Sequence, residues 1–175
     1  PPRSTLFPYT TLFRSLFISI HANSSTIRSV SGVETYYLSF TSAKDALEVA
    51  ARENATSDRS VFELRDLLQK IALQDKIDES RDFATRVNSS LYRVWGSSAT
   101  ARNRGVKKAP FVVLIGASMP SILTEIGFLS NPREEREMRK PEVRQKIAEA
   151  LFNGLSQYAD SLTRYAVARR AQGTD

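Results

Sequence analysis

The chain lacks cysteine and carries a single histidine, His21, among its 175 residues. The first absence excludes disulfides and thiolate zinc sites, and leaves either redox compartment open. The second limits any zinc centre in this chain to one imidazole, so further ligands would have to be carboxylates. No run approaches the roughly 18 uninterrupted apolar residues that a membrane-spanning helix requires. The opening Pro1-Pro2-Arg3-Ser4-Thr5 has no starting Met and no long apolar core, so an export signal, if the protein has one, is expected upstream.

What is present fits one soluble domain with a sizeable core, at 41% hydrophobic and 25% charged residues. Lys and Arg number 25 against 19 Asp and Glu, a net charge of +6. That balance favours an anionic partner (nucleic acid, a membrane surface or an acidic wall polymer) without choosing among them.

Residues 1–15 read differently from the rest. Ser4–Tyr9 (STLFPY) and Thr10–Ser15 (TTLFRS) are near copies of each other. Two such copies are too few and too short for a repeat architecture. They read as a non-native leader, with an edge strand as the alternative.

Beyond them, Leu16–Ala22 (LFISIHA) is an apolar, β-branched strand with His21 near its end. Glu34–Phe40 is a second strand. Ser42 with Asp45 resembles a capping box, opening a helix through Glu53 with Ala46, Leu47, Ala50 and Ala51 on one face. Ser60 with Glu63 repeats the signal ahead of a stripe of Leu64, Leu67, Leu68 and Ile71. A third helix from about Asp78 turns Ala84, Val87 and Leu91 inward and ends at Trp95. The stretch 96–104 reads as a loop, and Arg102, Arg104, Lys107 and Lys108 as a loop cluster of positive charge.

Phe111–Ile115 (FVVLI) and Ile122–Ile126 (ILTEI) are buried-strand signals. Asn131-Pro132-Arg133-Glu134 is a helix start, with Asn at the cap and Pro at the first helical position. Pro141 begins the last helix, where Val143, Ile147, Leu151, Leu155 and Tyr158 recur every three to four residues. From about Tyr165 a basic tail is expected to fray. Strands separated by amphipathic helices imply an α/β fold: a mostly parallel sheet with helices on both faces.

Two residues carry the chemistry. His21 near a strand end is a ligand candidate or a hydrogen-bonded structural residue. Glu125 inside an apolar strand must be desolvated, so it is either a functional group or half of a buried ion pair. Both lie near strand ends, where such sheets bind ligands.

Four local words then occur in order: Ser19–Asn23 (SIHAN), Gly32–Ser39 (GVETYYLS), Arg104–Lys107 (RGVK) and Pro120–Asn131 (PSILTEIGFLSN). Together they closely resemble the type 3 family of zinc-dependent N-acetylmuramoyl-L-alanine amidases, from Leu16 to the last helix. The resemblance implies hydrolysis of the amide between N-acetylmuramic acid and L-alanine in peptidoglycan, outside the cytoplasmic membrane, in the periplasm or cell wall. It implies zinc as cofactor, His21 as one metal ligand, and Glu125 as catalytic base. It also implies a supporting or substrate-side role for Glu34 and Asn23, peptidoglycan as partner, no nucleic acid, and a monomer.

The family's other ligands, a histidine and a glutamate, precede the SIHAN word on an initial strand and helix. Residues 1–15 contain no His, Asp or Glu. The expectation is therefore a three-layer sandwich missing its first strands and helix, with the catalytic part at 16–164, a basic tail at 165–175 and little activity of its own. An amidase fold that binds peptidoglycan without cutting it is the alternative, and a basic nucleic-acid-binding domain ranks last. Autoinhibition is not expected, although Glu63 or Glu79 could reach a metal.

Overall fold

Four strands form one mixed sheet in the computed structural model, which describes residues 16–39, 41–55, 74–95, 102–115 and 117–172 (74–75 and 163–172 as backbone alone). The strands are β1 (Phe17–Asn23), β2 (Val33–Leu38), β3 (Asn103–Ala109) and β4 (Ser121–Phe128), and the helices α1 (Lys44–Asn54), α2 (Gln74–Trp95), α3 (Pro132–Met138) and α4 (Pro141–Gln172). The order across the sheet is β1-β4-β2-β3. β1 runs parallel to β4, and β2 parallel to β3, whereas β2 and β4 meet antiparallel at the centre. The sheet is thus mostly parallel, as expected, with one antiparallel seam.

Strand alternation divides the side chains between two cores. On one face Val33 and Ile122 pack with Phe83, Val87 and Leu91 of α2 and with Ile147, Leu151 and Tyr158 of α4. On the other, Tyr36 and Leu123 pack with Ala46, Val49 and Ala50 of α1 and with Phe111 and Leu114. Helices therefore cover both faces, which makes the three-layer sandwich.

The periodicity of α2 and α4 predicts this packing correctly: Ala84, Val87 and Leu91 are fully buried and Ile147 and Tyr158 nearly so. The two helices approach closely because residue 154 is glycine. A Cβ there would stand 2.6 Å from the Val87 Cα. The helix start at Asn131 is also as read, its side chain accepting from the backbone N–H of Arg133 at 3.0 Å and Glu134 at 3.2 Å.

Glu134, buried one turn on, accepts the N–H of Gly32 at 2.7 Å and of Phe128 at 2.8 Å. It thereby ties the entry of β2 to the exit of β4. Gly32 itself has φ +111°, and a side chain there would run into the Arg102 carbonyl.

Several expectations fail, each for a local reason. The capping box at Ser42 does not form: α1 is capped by Ala43 without a side-chain bond, and Asp45 is drawn to Lys107 instead. The buried face of α1 is Ala46, Val49 and Ala50, while Leu47 is exposed. Arg104, Lys107 and Lys108 are not in a loop but on β3, whose pairing with β2 sets Lys107 beside Tyr36 and Lys108 beside Tyr37. Charged residues on an edge strand blunt unwanted pairing, and they also hide the strand from a hydrophobicity reading.

Phe111–Ile115 is buried in part but is not a strand. Val112–Leu114 forms a 3-10 turn, held by Asn54, which donates to the Pro110 carbonyl at 2.9 Å and accepts from Val112 N–H at 2.9 Å. The tail does not fray at Tyr165, since α4 continues to Gln172. The expected helix over the Leu64–Ile71 stripe and the leader 1–15 lie outside the described residues. Among the described residues no helix is long and apolar enough to cross a membrane.

Candidate functional site

The register of the sheet puts three functional candidates in one row. His21 on β1 stands beside Glu125 on β4, and Glu34 on β2 stands on the other side of Glu125. Glu34 lies two residues from Tyr36 on β2 and Glu125 two from Leu123 on β4. All therefore share the face covered by α1.

The last turn of α1 closes over this row. Ala46, Ala50 and Glu53 are spaced four and three apart, so the stripe that buries the alanines carries Glu53 down to the sheet. Glu53 Oε2 contacts His21 Nδ1. The other ring nitrogen, Nε2, lies 2.7 Å from Ser19 Oγ. One ligand atom each from His21, Glu53 and Glu125 falls within 4.8 Å of the others, a grouping that could hold a metal ion.

Glu125 is fully buried, and neither carboxylate oxygen has a hydrogen-bond partner among the described residues. Its pKa is pushed up to about 8, first by burial and then by the negative charges of Glu53 and Glu34, against a smaller pull from Arg52. A carboxylic acid in this setting exchanges its proton near neutral pH.

Glu34 is as buried as Glu125 but fully engaged. Asn23 Nδ2 donates to its Oε1 at 2.6 Å. Lys107 Nζ and Arg104 Nε donate to its Oε2 at 2.8 and 3.2 Å. Lys107 also reaches Asp45 on α1 at 2.8 Å. Burial alone would lower the Lys107 pKa, but its bonds to Asp45 and Glu34 outweigh that and raise it. The same bond holds the Asp45 carboxyl below its ordinary range. Asn23 completes the cluster by accepting from Ser24 N–H at 2.7 Å and Arg52 at 3.0 Å, where the β1 register breaks between His21 and Asn23.

The structure thus brings together His21 and Glu125, and places Glu34 and Asn23 beside them in a bonded pair. Glu53 was missed. The signal was available: had Val49 rather than Leu47 been read as inward, Glu53 would have fallen on the buried stripe. Glu79 belongs to α2, on the opposite face of the sheet, and Glu63 is outside the described residues.

Residues 12–157 match the family model described as N-acetylmuramoyl-L-alanine amidase. The chain belongs to this family. It is 32% identical over 152 residues to the N-acetylmuramoyl-L-alanine amidase AmiA of Escherichia coli, covering 82% of this chain and 51% of that protein. It is also 32% identical over 145 residues to an uncharacterized protein of Bacillus subtilis, covering 83% and 52%. Among solved structures, an N-acetylmuramoyl-L-alanine amidase from Clostridium difficile matches with a TM-score of 0.57 at 25% identity, over 84% of this chain and 59% of that one. The chain spans about half the length of the curated relatives it matches. Family membership and the α/β fold are therefore shared with amide hydrolases along most of this sequence.

Proposed function

We propose that this protein hydrolyses the amide joining N-acetylmuramic acid to L-alanine in peptidoglycan, in the periplasm or cell wall, with zinc held by His21 and Glu53 beside the catalytic base Glu125. The observation that carries the proposal is Glu125: a buried carboxylate, unpartnered among the described residues, beside the chain's one histidine on a shared sheet face. The imidazole of His21 and the carboxylate of Glu53 are donors that zinc accepts, and the unpartnered oxygens of Glu125 are acceptors that a water beside the ion would satisfy. When bound with an open position, zinc polarises an amide carbonyl and lowers the pKa of water.

The chain's own residues supply the rest. His21 and Glu53 would hold the ion. Glu125, with its proton loosened or kept near neutral pH, takes a proton from the attacking water and returns it to the amine of L-alanine. Glu34, fastened by Asn23, Arg104 and Lys107, keeps the floor of the site polar and fixed. α1 shields the row from bulk water on one side.

The family's two-histidine set cannot be completed from a chain with a single histidine. We expect the chain on its own to hold zinc weakly and to turn over peptidoglycan little or not at all. The second reading, a peptidoglycan-binding domain that does not cut, has the single histidine of this sequence in its favour and the retained pair of His21 and Glu125 against it.

The test is zinc stoichiometry after dialysis against buffered zinc, with His21→Ala and Glu53→Gln beside the parent chain, followed by release of L-alanine peptides from purified peptidoglycan. Near-equimolar zinc, lost in both variants, supports the metal site with Glu53 as a ligand. Zinc retained in His21→Ala sinks it. Peptidoglycan binding without any release, at full zinc loading, favours the binding-domain reading.

A further inference from the structure

The cations around the row are unequally engaged. Arg104 and Lys107 both point their charge at Glu34, and Lys107 also at Asp45. Arg52 differs. It is exposed at the last turn of α1, next in sequence to Glu53, and one guanidinium nitrogen donates to the neutral Asn23 Oδ1 at 3.0 Å. Among the described residues it forms no ion pair, yet it is close enough to Glu125 to pull on that carboxyl's charge.

A guanidinium has five N–H donors in a rigid fork suited to a carboxylate. The Asn23 bond fixes one end of the fork at the site, and Asn23 is itself held by Glu34 and the Ser24 N–H. Among the described residues the Arg52 side chain makes no other hydrogen bond, and it is exposed. A positioned cation that forms no ion pair among the described residues, next to a site for amide cleavage, is suited to read a negative charge on the substrate.

We propose that Arg52 is the specificity residue of this site, pairing with a carboxylate of the peptide on the leaving side of the scissile amide. The proposal rests on the amidase reading above and deepens it by naming an acidic peptide as the preferred leaving group. An uncharged peptide of the same length leaves the guanidinium unanswered.

The experiment is equilibrium binding, by calorimetry, of two probes to the zinc-loaded chain: N-acetylmuramoyl-L-alanyl-D-glutamate, and the same compound with both glutamate carboxyls converted to amides. The parent chain should bind the diacid about tenfold more tightly than the diamide, the size of effect a charge-assisted hydrogen bond gives. Arg52→Gln should bring the two probes level, chiefly by weakening the diacid. Arg52→Lys should restore part of the preference, because it returns the charge without the fork. Arg86→Gln, which removes the same charge from α2 on the opposite layer, should leave the preference intact, and circular dichroism checks that each variant is folded.

Equal binding of the two probes by the parent chain overturns the role of Arg52 while leaving the amidase reading standing. So does a preference that survives in Arg52→Gln. Failure of both probes to bind the zinc-loaded parent overturns both readings together.

Discussion

Glu125 stands between two other acids across the sheet, and without a cation this arrangement costs stability once the carboxyl ionises. Its folded-state pKa of about 8 lies above the ordinary 4.5. Its favourable contribution is thus fully present below about 4.5 and is lost as pH rises through 8. A shift of that size is worth on the order of 4 kcal/mol by pH 8. Urea denaturation in chelator should therefore show Glu125→Gln gaining stability over the parent progressively between pH 5 and 8, with little difference below pH 4.5. A pH-independent difference between the two would show that Glu125 keeps an ordinary pKa. Much of this was legible beforehand, because a carboxylate inside ILTEI has to be desolvated wherever the strand goes. The identity of its neighbours was not, since that depends on register between strands a hundred residues apart.

At the scale of elements, caps and close approaches are the sensitive points. Asn131→Ala removes the acceptor for two backbone N–H groups at the start of α3 and should cost about 1 kcal/mol in chemical denaturation. Gly154→Ala should cost more, roughly 1–3 kcal/mol, because the added methyl meets the backbone of Val87 rather than a side chain that can turn away. An unchanged denaturation midpoint in Gly154→Ala would mean that α2 and α4 can separate at little cost.

The elements also show where sequence reading reaches its limit. α2 and α4 advertise themselves by periodicity, and β4 by a largely apolar run broken by Thr124 and Glu125. β3 does not: NRGVKKA is polar because it lies at an edge, so only its partner β2 explains it. FVVLI errs the other way, apolar because it is partly buried, yet held by Asn54 in a turn. α1 was found but rotated, because a stripe of small residues gives a weak bearing, and with that rotation Glu53 was lost.

For the whole molecule, a bound cation should act as part of the fold. Zinc that binds the folded chain and not the unfolded one raises the melting temperature with the logarithm of its concentration. Addition of zinc should raise the melting temperature of the parent chain at pH 8 and leave that of His21→Ala unmoved, as read by differential scanning calorimetry. An equal rise in both would place the binding elsewhere. The layers themselves were foreseeable from alternation of strand and helix. The single antiparallel seam was not, since nothing in the residues of β2 states its direction.

One ammonium group, that of Lys107, is shared between a carboxylate on the sheet and another on α1. A clasp of this kind responds to its solvent. Asp45 is well exposed, so its half of the clasp is screened as salt rises, while the half at Glu34 is sheltered. The helix that bears Arg52 and Glu53 would then loosen at one end while the sheet below stays whole. Ionic strength thus acts on the first turn of α1, where amide hydrogen exchange should quicken with added salt before any change reaches β2 or β4.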